Sequence, residues 1–380
     1  MKIYKKAILP LGFKAQGVAS GIKKSGKLDL ALFFSDIPAK AACQFTSNKI
    51  QAAPIKLSKR YLKDNKRFQA IIANSGNANC FTGKKGLKDA EATTRYAASA
   101  LGIKKEKILI ASTGIIARPM PLLKLKKAMP LLIKGLSRQG IDKAKYAIMT
   151  TDTFAKEVTV QFKIGRHPVT ICGIAKGAGM IAPDLATMLS FILTDAKITQ
   201  KALRRALGIC LATSFNCITV DGCMSTNDSV MMLANAAAGN LLIDDGGNAA
   251  FNLFVRGLNI VCLELAKMIV KDAEGASKFI KIKVDKAKNF QEARRVALSV
   301  ANSSLFKTAI YGENPNFGRI LAAAGSSGIG LKEEELKIRV SPLHKKEISV
   351  DVCLKRGNAA ATVYTSDLTP EYIKINAEYN

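Results

Sequence analysis

The order of hydrophobic and polar positions divides the chain into short strands and amphipathic helices. Residues 157–164 show the clearest strand pattern, because Val158, Val160 and Phe162 alternate with polar neighbours. Residues 249–271 have the length and apolar spacing that are typical of a long helix. The same reasoning predicts further strands at residues 28–35, 69–74, 107–111, 168–174, 187–193, 217–221, 229–234, 278–284, 335–340, 347–354 and 360–364. Further helices are predicted at residues 86–101, 119–136, 199–213 and 291–302, and Pro130 is expected to divide the second of them.

These strands and helices follow one another in no regular βαβ order, and the same succession of types occurs in both halves of the chain. A Rossmann fold or a TIM barrel needs regular alternation, so both are disfavoured. We therefore predict the fold class α+β, with sheets and helices arranged as a layered sandwich.

The charge of the chain is strongly positive, since 58 Lys and Arg stand against 29 Asp and Glu. Such an excess suits a nucleic acid or an acidic surface as partner. The lysines are spread along the chain, however, and no aromatic residues interleave with them as in RNA-binding segments. We expect a solvated, lysine-rich surface and no nucleic-acid partner, with attraction of an acidic metabolite such as glutamate as a milder alternative.

Cysteine and histidine usage argues against disulfides and metal sites. The eight cysteines form no C-x-x-C pair, and His167 and His344 are the only histidines. A reduced, cytoplasmic compartment and no bound metal are therefore expected. No stretch reaches the ~18 apolar residues of a membrane span, so we expect no membrane partner.

Thr187 stands where a Gly-rich approach meets an apolar, strand-like run. Cleavage before it requires its hydroxyl to attack the carbonyl of Ala186, whose small side chain leaves the path open, while Pro183 stiffens the approach. The freed α-amine, with an unperturbed pKa of ~8, can then serve as base for the hydroxyl of the same residue. Considered locally, the sequence favours the simpler interpretation that Thr187 begins an ordinary strand, where threonine is common.

The stretch Lys176-Gly-x-Gly-Met-Ile-Ala-Pro-x-x-Ala-Thr-Met-Leu resembles the self-processing motif of the ornithine acetyltransferases, also called glutamate N-acetyltransferases. The resemblance covers nearly the whole chain. It is carried by further matching strings at Gly12-Phe-x-Ala-x-Gly-Val-Ala-x-Gly-Ile-Lys, Asn74-Ser-Gly-Asn-Ala-Asn79, Ser112-Thr-Gly114, Thr150-Thr-Asp-Thr153, Thr219-Val-Asp-Gly222, Ser225-Thr-Asn-Asp228, Gly312-Glu-Asn-Pro-Asn-Phe-Gly-Arg-Ile320 and Ile375-Asn-Ala-Glu-Tyr379.

This resemblance implies a four-layer α/β/β/α sandwich, which self-processing aminopeptidases share, and autoproteolysis between Ala186 and Thr187. An α fragment (residues 1–186) and a β fragment (residues 187–380) would share one folded unit and assemble as an α₂β₂ heterotetramer. Thr187 would take the acetyl group of N2-acetyl-L-ornithine and pass it to L-glutamate by a ping-pong cycle through an acetyl-Thr187 ester, in arginine biosynthesis. No cofactor is implied. Whether acetyl-CoA also serves as an acetyl donor is left open.

Acyl transfer needs an oxyanion hole, because negative charge develops on the carbonyl oxygen. The resemblance assigns that role to the hydroxyl of Thr113 and the backbone N–H of Gly114, which we expect in a loop after a strand. Lys176 offers a cation for a substrate carboxylate, and Glu274 offers an anion for an amino group. The full set of implied substrate contacts is Thr153, Lys176, Thr187, Glu274 and Asn376.

Three positions depart from the family pattern. Cys223 stands where Asp is frequent, Phe317 stands where Trp is usual, and Asn380 ends the chain without the usual pair of hydroxyl residues. The last departure leaves that carboxy-terminal substrate contact unassigned. Two alternative functions stay open: an aminopeptidase or amidohydrolase of related fold, in which water accepts the acyl group, and a basic binding protein without catalysis.

Overall fold

The computed structural model describes residues 1–182 and 188–378. In those residues the strands are β1 Lys2–Tyr4, β2 Phe13–Val18, β3 Leu30–Phe45, β4 Phe68–Asn77, β5 Ile108–Ile115, β6 Lys156–Ile164, β7 His167–Lys176, β8 Leu189–Thr194, β9 Ser229–Ala234, β10 Phe279–Ala287, β11 Lys337–Val340, β12 Glu347–Cys353 and β13 Ala359–Ser366. The helices are α1 Ala53–Asp64, α2 Gly83–Leu101, α3 Leu122–Lys134, α4 Ile141–Ala147, α5 Gln200–Ala212, α6 Ala249–Lys271, α7 Phe290–Ala301, α8 Ser304–Tyr311, α9 Gly318–Gly325 and α10 Pro370–Glu378.

The chain forms two compact units. Within the described parts, the first unit contains residues 1–177, 188–211 and 224–265, and the second contains residues 178–182, 212–223 and 266–378. The first unit therefore takes residues from both sides of the predicted cleavage point. No helix in the described parts is long and apolar enough to cross a membrane.

The first unit is built on a sheet in the order β1-β6-β7-β8-β9-β3-β4-β5, with β2 also paired to β3. Strand β3 joins the two halves of this sheet, because residues 30–34 pair with β4 and residues 40–45 pair with β9. The ring of Phe33 in one half packs against the ring of Phe191 in the other, with 4.9 Å between centroids. The two halves therefore face each other across an apolar core.

Helices cover the outer faces of both halves. Helices α1 to α3 pack on the half that contains β2 to β5. On the other half, Gly173 of β7 lacks a side chain where an added Cβ would lie 2.5 Å from Val261 and 2.8 Å from Leu265, so α6 can approach the sheet closely. The layers run helix, sheet, sheet, helix, which confirms the predicted α+β class and its α/β/β/α sandwich.

The second unit has a sheet in the order β11-β12-β10-β13, in which β10 runs parallel to β12 and antiparallel to β13. Helix α7 packs on this sheet, and Val296 and Val300 share a core with Ile282 and Val350. A parallel pair needs a crossover connection, and helices α7 to α9 lie between β10 and β12 in the chain.

Two local predictions are wrong. Residues 217–221 do not form a strand, because Phe215–Cys217 make a tight turn and Ile218 contributes only an isolated bridge with Tyr364. Helix α3 is not divided at Pro130, which lies inside it with an exposed ring. On that solvent side, water can satisfy the carbonyl that a proline leaves without its N–H partner.

Candidate active site

The predicted oxyanion donors Thr113 and Gly114 lie within strand β5, which continues to Ile115. The expectation of a loop at this position is therefore wrong. Gly114 pairs with Gly76 of β4, both glycines have positive φ angles (129° and 95°), and the register of the two strands shifts directly after this pair. A register shift of this kind turns backbone groups out of the regular ladder, as a group that faces a substrate requires.

Lys176, at the end of β7, contacts Thr113 directly. Its Nζ donates to the Thr113 Oγ1 at 3.3 Å, and only 3% of Lys176 is exposed. A hydroxyl that accepts a hydrogen bond from an ammonium keeps its own hydrogen for another acceptor. This geometry fits the donor role predicted for Thr113.

Asp152 binds the backbone directly after Lys176, at the end of β7. Its carboxylate accepts from Lys156 Nζ at 2.7 Å, from the Gly177 N–H at 2.6 Å and from the Thr150 N–H at 2.8 Å. Burial acts to raise the pKa of Asp152, but the charges of Lys176 and Lys156 and these hydrogen bonds outweigh it and lower the pKa to about 2. The Asp152 carboxylate therefore remains negatively charged at neutral pH. The cluster of Asp152, Lys156 and Lys176 contains two lysines and one aspartate, so its formal charge is positive.

Thr153 is exposed and lines a cavity of about 530 Å³ together with Lys23 and Asp152. Lys23 Nζ donates to the carbonyls of Leu28 (2.9 Å) and Met149 (2.7 Å). Burial lowers the pKa of Lys23 to about 8, and the charge of Lys176 acts in the same direction. Lys23 places an amino group at this cavity, whereas the Asp152 side chain is fully buried.

The charge of Asp152 gives an acid-sensitive contribution to folding. Since its pKa is about 2, against an ordinary value of 3.8, folding gains roughly 2 kcal/mol above pH 4 that is lost as the pH falls towards 2. We expect Asp152→Asn to be less stable than the wild type at pH 6, because Lys156 loses a buried partner, and to lose less stability between pH 4 and pH 2.

Urea unfolding at pH 6, 4 and 2.5 measures this difference. Asp64→Asn, at an exposed position, is the control, and its free energy of unfolding should change with pH as that of the wild type does. If the free energy of unfolding of Asp152→Asn also fell with pH as steeply as that of the wild type, this carboxylate would have no depressed pKa.

Ala186 and Thr187, the predicted cleavage site and nucleophile, lie outside the described residues. Met188 follows them, and its N–H donates to Asp228 Oδ1 at 2.8 Å. Asn227, the residue before Asp228 in the string Ser225-Thr-Asn-Asp228, donates through Nδ2 to the Ser112 carbonyl at 2.8 Å. The segment 225–228 therefore binds both the residue after the predicted nucleophile and the residue before Thr113.

Glu274 and Asn376 belong to the second unit, where they contact each other. Asn376 Nδ2 donates to Glu274 Oε2 at 2.9 Å, and the Glu274 N–H donates to the Ala178 carbonyl at 3.0 Å. Asp221 accepts the N–H groups of Met180 and Ile181, at 2.6 and 2.9 Å. Residues 178–182 of the Gly-rich approach are therefore held in that unit by several specific hydrogen bonds.

The predicted residues fall in two sets, one in each unit. Thr113, Gly114, Lys176 and Thr153 belong to the first unit, where Asp152 lies beside both Lys176 and Thr153. Glu274 and Asn376 belong to the second unit. Reasoning from sequence assigned no role to four aspartate and asparagine residues that organise these sets, although each occurs in a string that resembles the family: Asp152, Asp221, Asn227 and Asp228.

Comparison with known proteins places the chain in a family. A model of the ArgJ family matches residues 14–380. The arginine biosynthesis bifunctional protein ArgJ of Geobacter sulfurreducens is 43% identical over 389 residues, which cover 97% of this chain and 98% of that protein. The protein of the same name from Caldanaerobacter subterraneus is 43% identical over 395 residues, with 98% and 97% covered. A crystal structure of ornithine acetyltransferase complexed with ornithine from Mycobacterium tuberculosis is 38% identical, covers 49% of this chain and 99% of that chain, and has a TM-score of 0.46.

The layered sandwich defines this protein as one of the α+β sandwich class. These two relatives are matched over 97–98% of this chain and over 97–98% of their own length. The chain belongs to the ArgJ family.

Proposed function

We propose that this enzyme transfers the acetyl group of N2-acetyl-L-ornithine to L-glutamate, giving L-ornithine and N-acetyl-L-glutamate. The chain would first cut itself between Ala186 and Thr187, and the Thr187 hydroxyl would then carry the acetyl group as an ester. Relatives named as arginine biosynthesis bifunctional proteins support this reaction.

The observation that carries the proposal is that Lys176, the last residue of β7, contacts both β5 and β8. Its side chain contacts Thr113, while its backbone pairs with Leu189 of β8, two residues after Thr187. Lys176 therefore connects the predicted oxyanion donors of β5 with the first residue of β8, which follows Thr187 by two positions in the sequence. Nucleophile, oxyanion donors and a cation are the groups that acyl transfer needs.

The chemistry follows from these groups. The hydroxyl of Thr187 attacks the acetyl carbonyl, the Thr113 hydroxyl and the Gly114 N–H stabilise the oxyanion, and ornithine leaves as the amine. The amino group of glutamate then attacks the ester, which frees Thr187. The excess positive charge around Lys176 favours both the oxyanion and the substrate carboxylate. Glu274 and Asn376 are proposed as the further substrate contacts, with Glu274 receiving an amino group.

The proposed fragments would remain associated after cleavage. Strand β7 precedes the cut and β8 follows it, and they pair along six residues from Ile171↔Thr194 to Lys176↔Leu189. Breaking the intervening bond leaves these backbone hydrogen bonds in place. We propose that each α and β fragment therefore shares one folded unit, that two such pairs form the α₂β₂ assembly, and that no metal or redox cofactor takes part.

Two measurements on the purified protein test this function. The intact mass should give two fragments that meet between Ala186 and Thr187. Incubation with N2-acetyl-L-ornithine and glutamate should yield N-acetylglutamate, and omission of glutamate should leave only a stoichiometric acetyl-enzyme. A parallel incubation with acetyl-CoA and glutamate tests the second donor.

The alternatives predict different products. Release of acetate at the same rate with and without glutamate would indicate a hydrolase and contradict the transferase. An intact chain that turns over neither substrate and binds polyanions in a salt-dependent way would indicate a binding protein.

A further inference from the structure

Lys23 is a half-buried cation at the cavity of about 530 Å³ that Thr153 lines. Its Nζ donates to two neutral acceptors, the carbonyls of Leu28 and Met149, and no carboxylate of the described residues forms an ion pair with it. An ammonium group has three hydrogens, so one of them is left for a further acceptor. Charges that lose part of their hydration are normally paired, because that loss is costly. The remaining donor therefore indicates an anionic ligand.

The two carboxylates that act on Lys23 through their charge are both bound elsewhere. Asp29 is fully buried, and its oxygens accept the backbone N–H groups of Ser20 at 2.6 Å and of Lys23 itself at 3.0 Å. Asp152 accepts from Lys156 and from two backbone N–H groups. These carboxylates hold the loop that carries Lys23 and the end of strand β7. The ammonium of Lys23 therefore remains available to a ligand.

The amino group of Lys23 carries its charge at pH 7. Burial lowers its pKa to about 8, and the charges of Lys176 and Lys27 act in the same direction, whereas Asp29 and Asp152 act to raise it. Because this pKa still lies above neutral pH, the protonated form predominates there. A carboxylate bound at Nζ would favour the charged form further, since an opposite charge raises the pKa of a lysine.

Lys23 also lies next to the strands that carry the proposed oxyanion donors. An added Cβ on Gly76 would lie 3.2 Å from Lys23 Cγ, and Gly76 pairs with Gly114 of β5. The Nζ of Lys23 holds the carbonyl of Met149, which directly precedes the string Thr150-Thr-Asp-Thr153. Lys23 thus contacts two segments of the first unit that contain, or pair with, predicted site residues.

We propose that Lys23 is a specificity-determining residue that binds the side-chain carboxylate of the acceptor, L-glutamate. This inference rests on the proposed function. Of the two amino acids in that reaction, only glutamate has two carboxylates, and the first unit offers Lys176 for one of them and Lys23 for the other. The cavity at Lys23 is also lined by Thr150, Thr153 and Lys27, which add hydroxyl groups and a further cation. Ornithine has an ammonium at its side-chain end and gains nothing from this contact.

Lys23→Met tests the proposal, because it keeps an unbranched stem of similar length and removes the charge. Acetyl transfer is measured with glutamate and with glutamine, which has nearly the same shape but no side-chain charge. We expect the wild type to prefer glutamate at least ~10-fold in kcat/KM, and Lys23→Met to prefer it less than about threefold. The change should come from a higher KM for glutamate with kcat kept within about threefold, since the contact is made before and during the reaction.

Three comparisons serve as controls. Release of ornithine in a single turnover without acceptor should be no slower than about threefold below the wild type in Lys23→Met, because the donor does not use this contact. Lys24→Met, at the neighbouring exposed lysine, should keep the preference for glutamate. Lys23→Arg retains a cation and should prefer glutamate more strongly than Lys23→Met does. If Lys23→Met does not fold, Lys23→Gln, which can still donate to a carbonyl, takes its place.

The outcomes separate this inference from the proposed function. A wild type that forms no acetyl-enzyme contradicts the function, and the inference falls with it. An active wild type that uses glutamine as well as glutamate overturns the inference alone, without any variant. A Lys23→Met variant that keeps the preference for glutamate also overturns it. The same holds if the variant slows ornithine release and both acceptors equally, because Lys23 would then only support the fold of the two segments.

Discussion

Replacement of Thr187 by alanine is expected to leave a single uncut chain and to lower acetyl transfer at least ~10⁴-fold. The substitution removes the oxygen that would attack the Ala186 carbonyl in processing and the acetyl carbonyl in turnover. Because one hydroxyl is proposed to perform both reactions, both should fail together. Intact-mass measurement and an assay of N-acetylglutamate formation on the same sample test this expectation.

Two further variants show whether the effect belongs to this hydroxyl. Thr187→Ser keeps the oxygen and should be cut and active, although more slowly. Thr194→Ala removes a buried threonine hydroxyl from the last residue of β8, where it donates to the Thr170 carbonyl at 2.8 Å. It should cost about 1 kcal/mol of stability and leave both cleavage and turnover in place. Normal turnover by an uncut Thr187→Ala chain would refute the assigned role.

The parts of the fold that the sequence predicts well are those with a clear period. Strand β6 and helix α6 match their predicted residues within one position, because one face of each is apolar at the expected spacing. Helices α1, α4, α8, α9 and α10 were not predicted. Four of them contain only seven to nine residues, too few for a helical period to stand out from its surroundings, whereas α1 has twelve.

Pairing between distant parts of the chain also limits what can be predicted from the sequence. Strand β3 was predicted to end at Ser35, since the polar Asp36 and the following Pro38 interrupt its pattern. It continues to Phe45 because its second part pairs with β9, which is almost 200 residues away in the chain. The two compact units likewise draw on separated stretches, and no local signal marks their boundaries.

The candidate site likewise contains some residues that were predicted from the sequence and others that were not. Thr113, Lys176 and Glu274 were predicted from resemblance, and the residue types suit their proposed tasks. Asp152 and Asp228 were not predicted, because a sequence shows a carboxyl but not whether it is buried, how many donors reach it or which charges surround it. Charged partners and hydrogen bonds lower the pKa of Asp152, whereas burial raises the pKa of Asp228 well above its ordinary value.

Gly114→Ala is expected to disrupt the site through the backbone. An added Cβ would lie 2.4 Å from the Gly76 carbonyl carbon and 2.5 Å from the Asn77 nitrogen, and Gly114 has a φ of 129°. These neighbours are backbone atoms of the paired strand β4, so the two strands must separate. We expect a loss of about 2–4 kcal/mol in stability from strain and overpacking, and a 10²- to 10³-fold fall in kcat as the proposed oxyanion donor moves.

Gly165→Ala separates the contribution of the clash from that of backbone strain. Gly165 lies in the turn between β6 and β7 with a φ of 60°, and an added Cβ there would meet nothing within 4 Å. This control should therefore cost only about 1 kcal/mol and leave kcat unchanged. Urea unfolding and the rate of acetyl transfer, measured on both variants, test the difference. If Gly114→Ala lost no more activity than Gly165→Ala, the backbone at position 114 could not be part of the oxyanion hole, because a donor displaced by the separation of β4 and β5 must weaken stabilisation of the transition state.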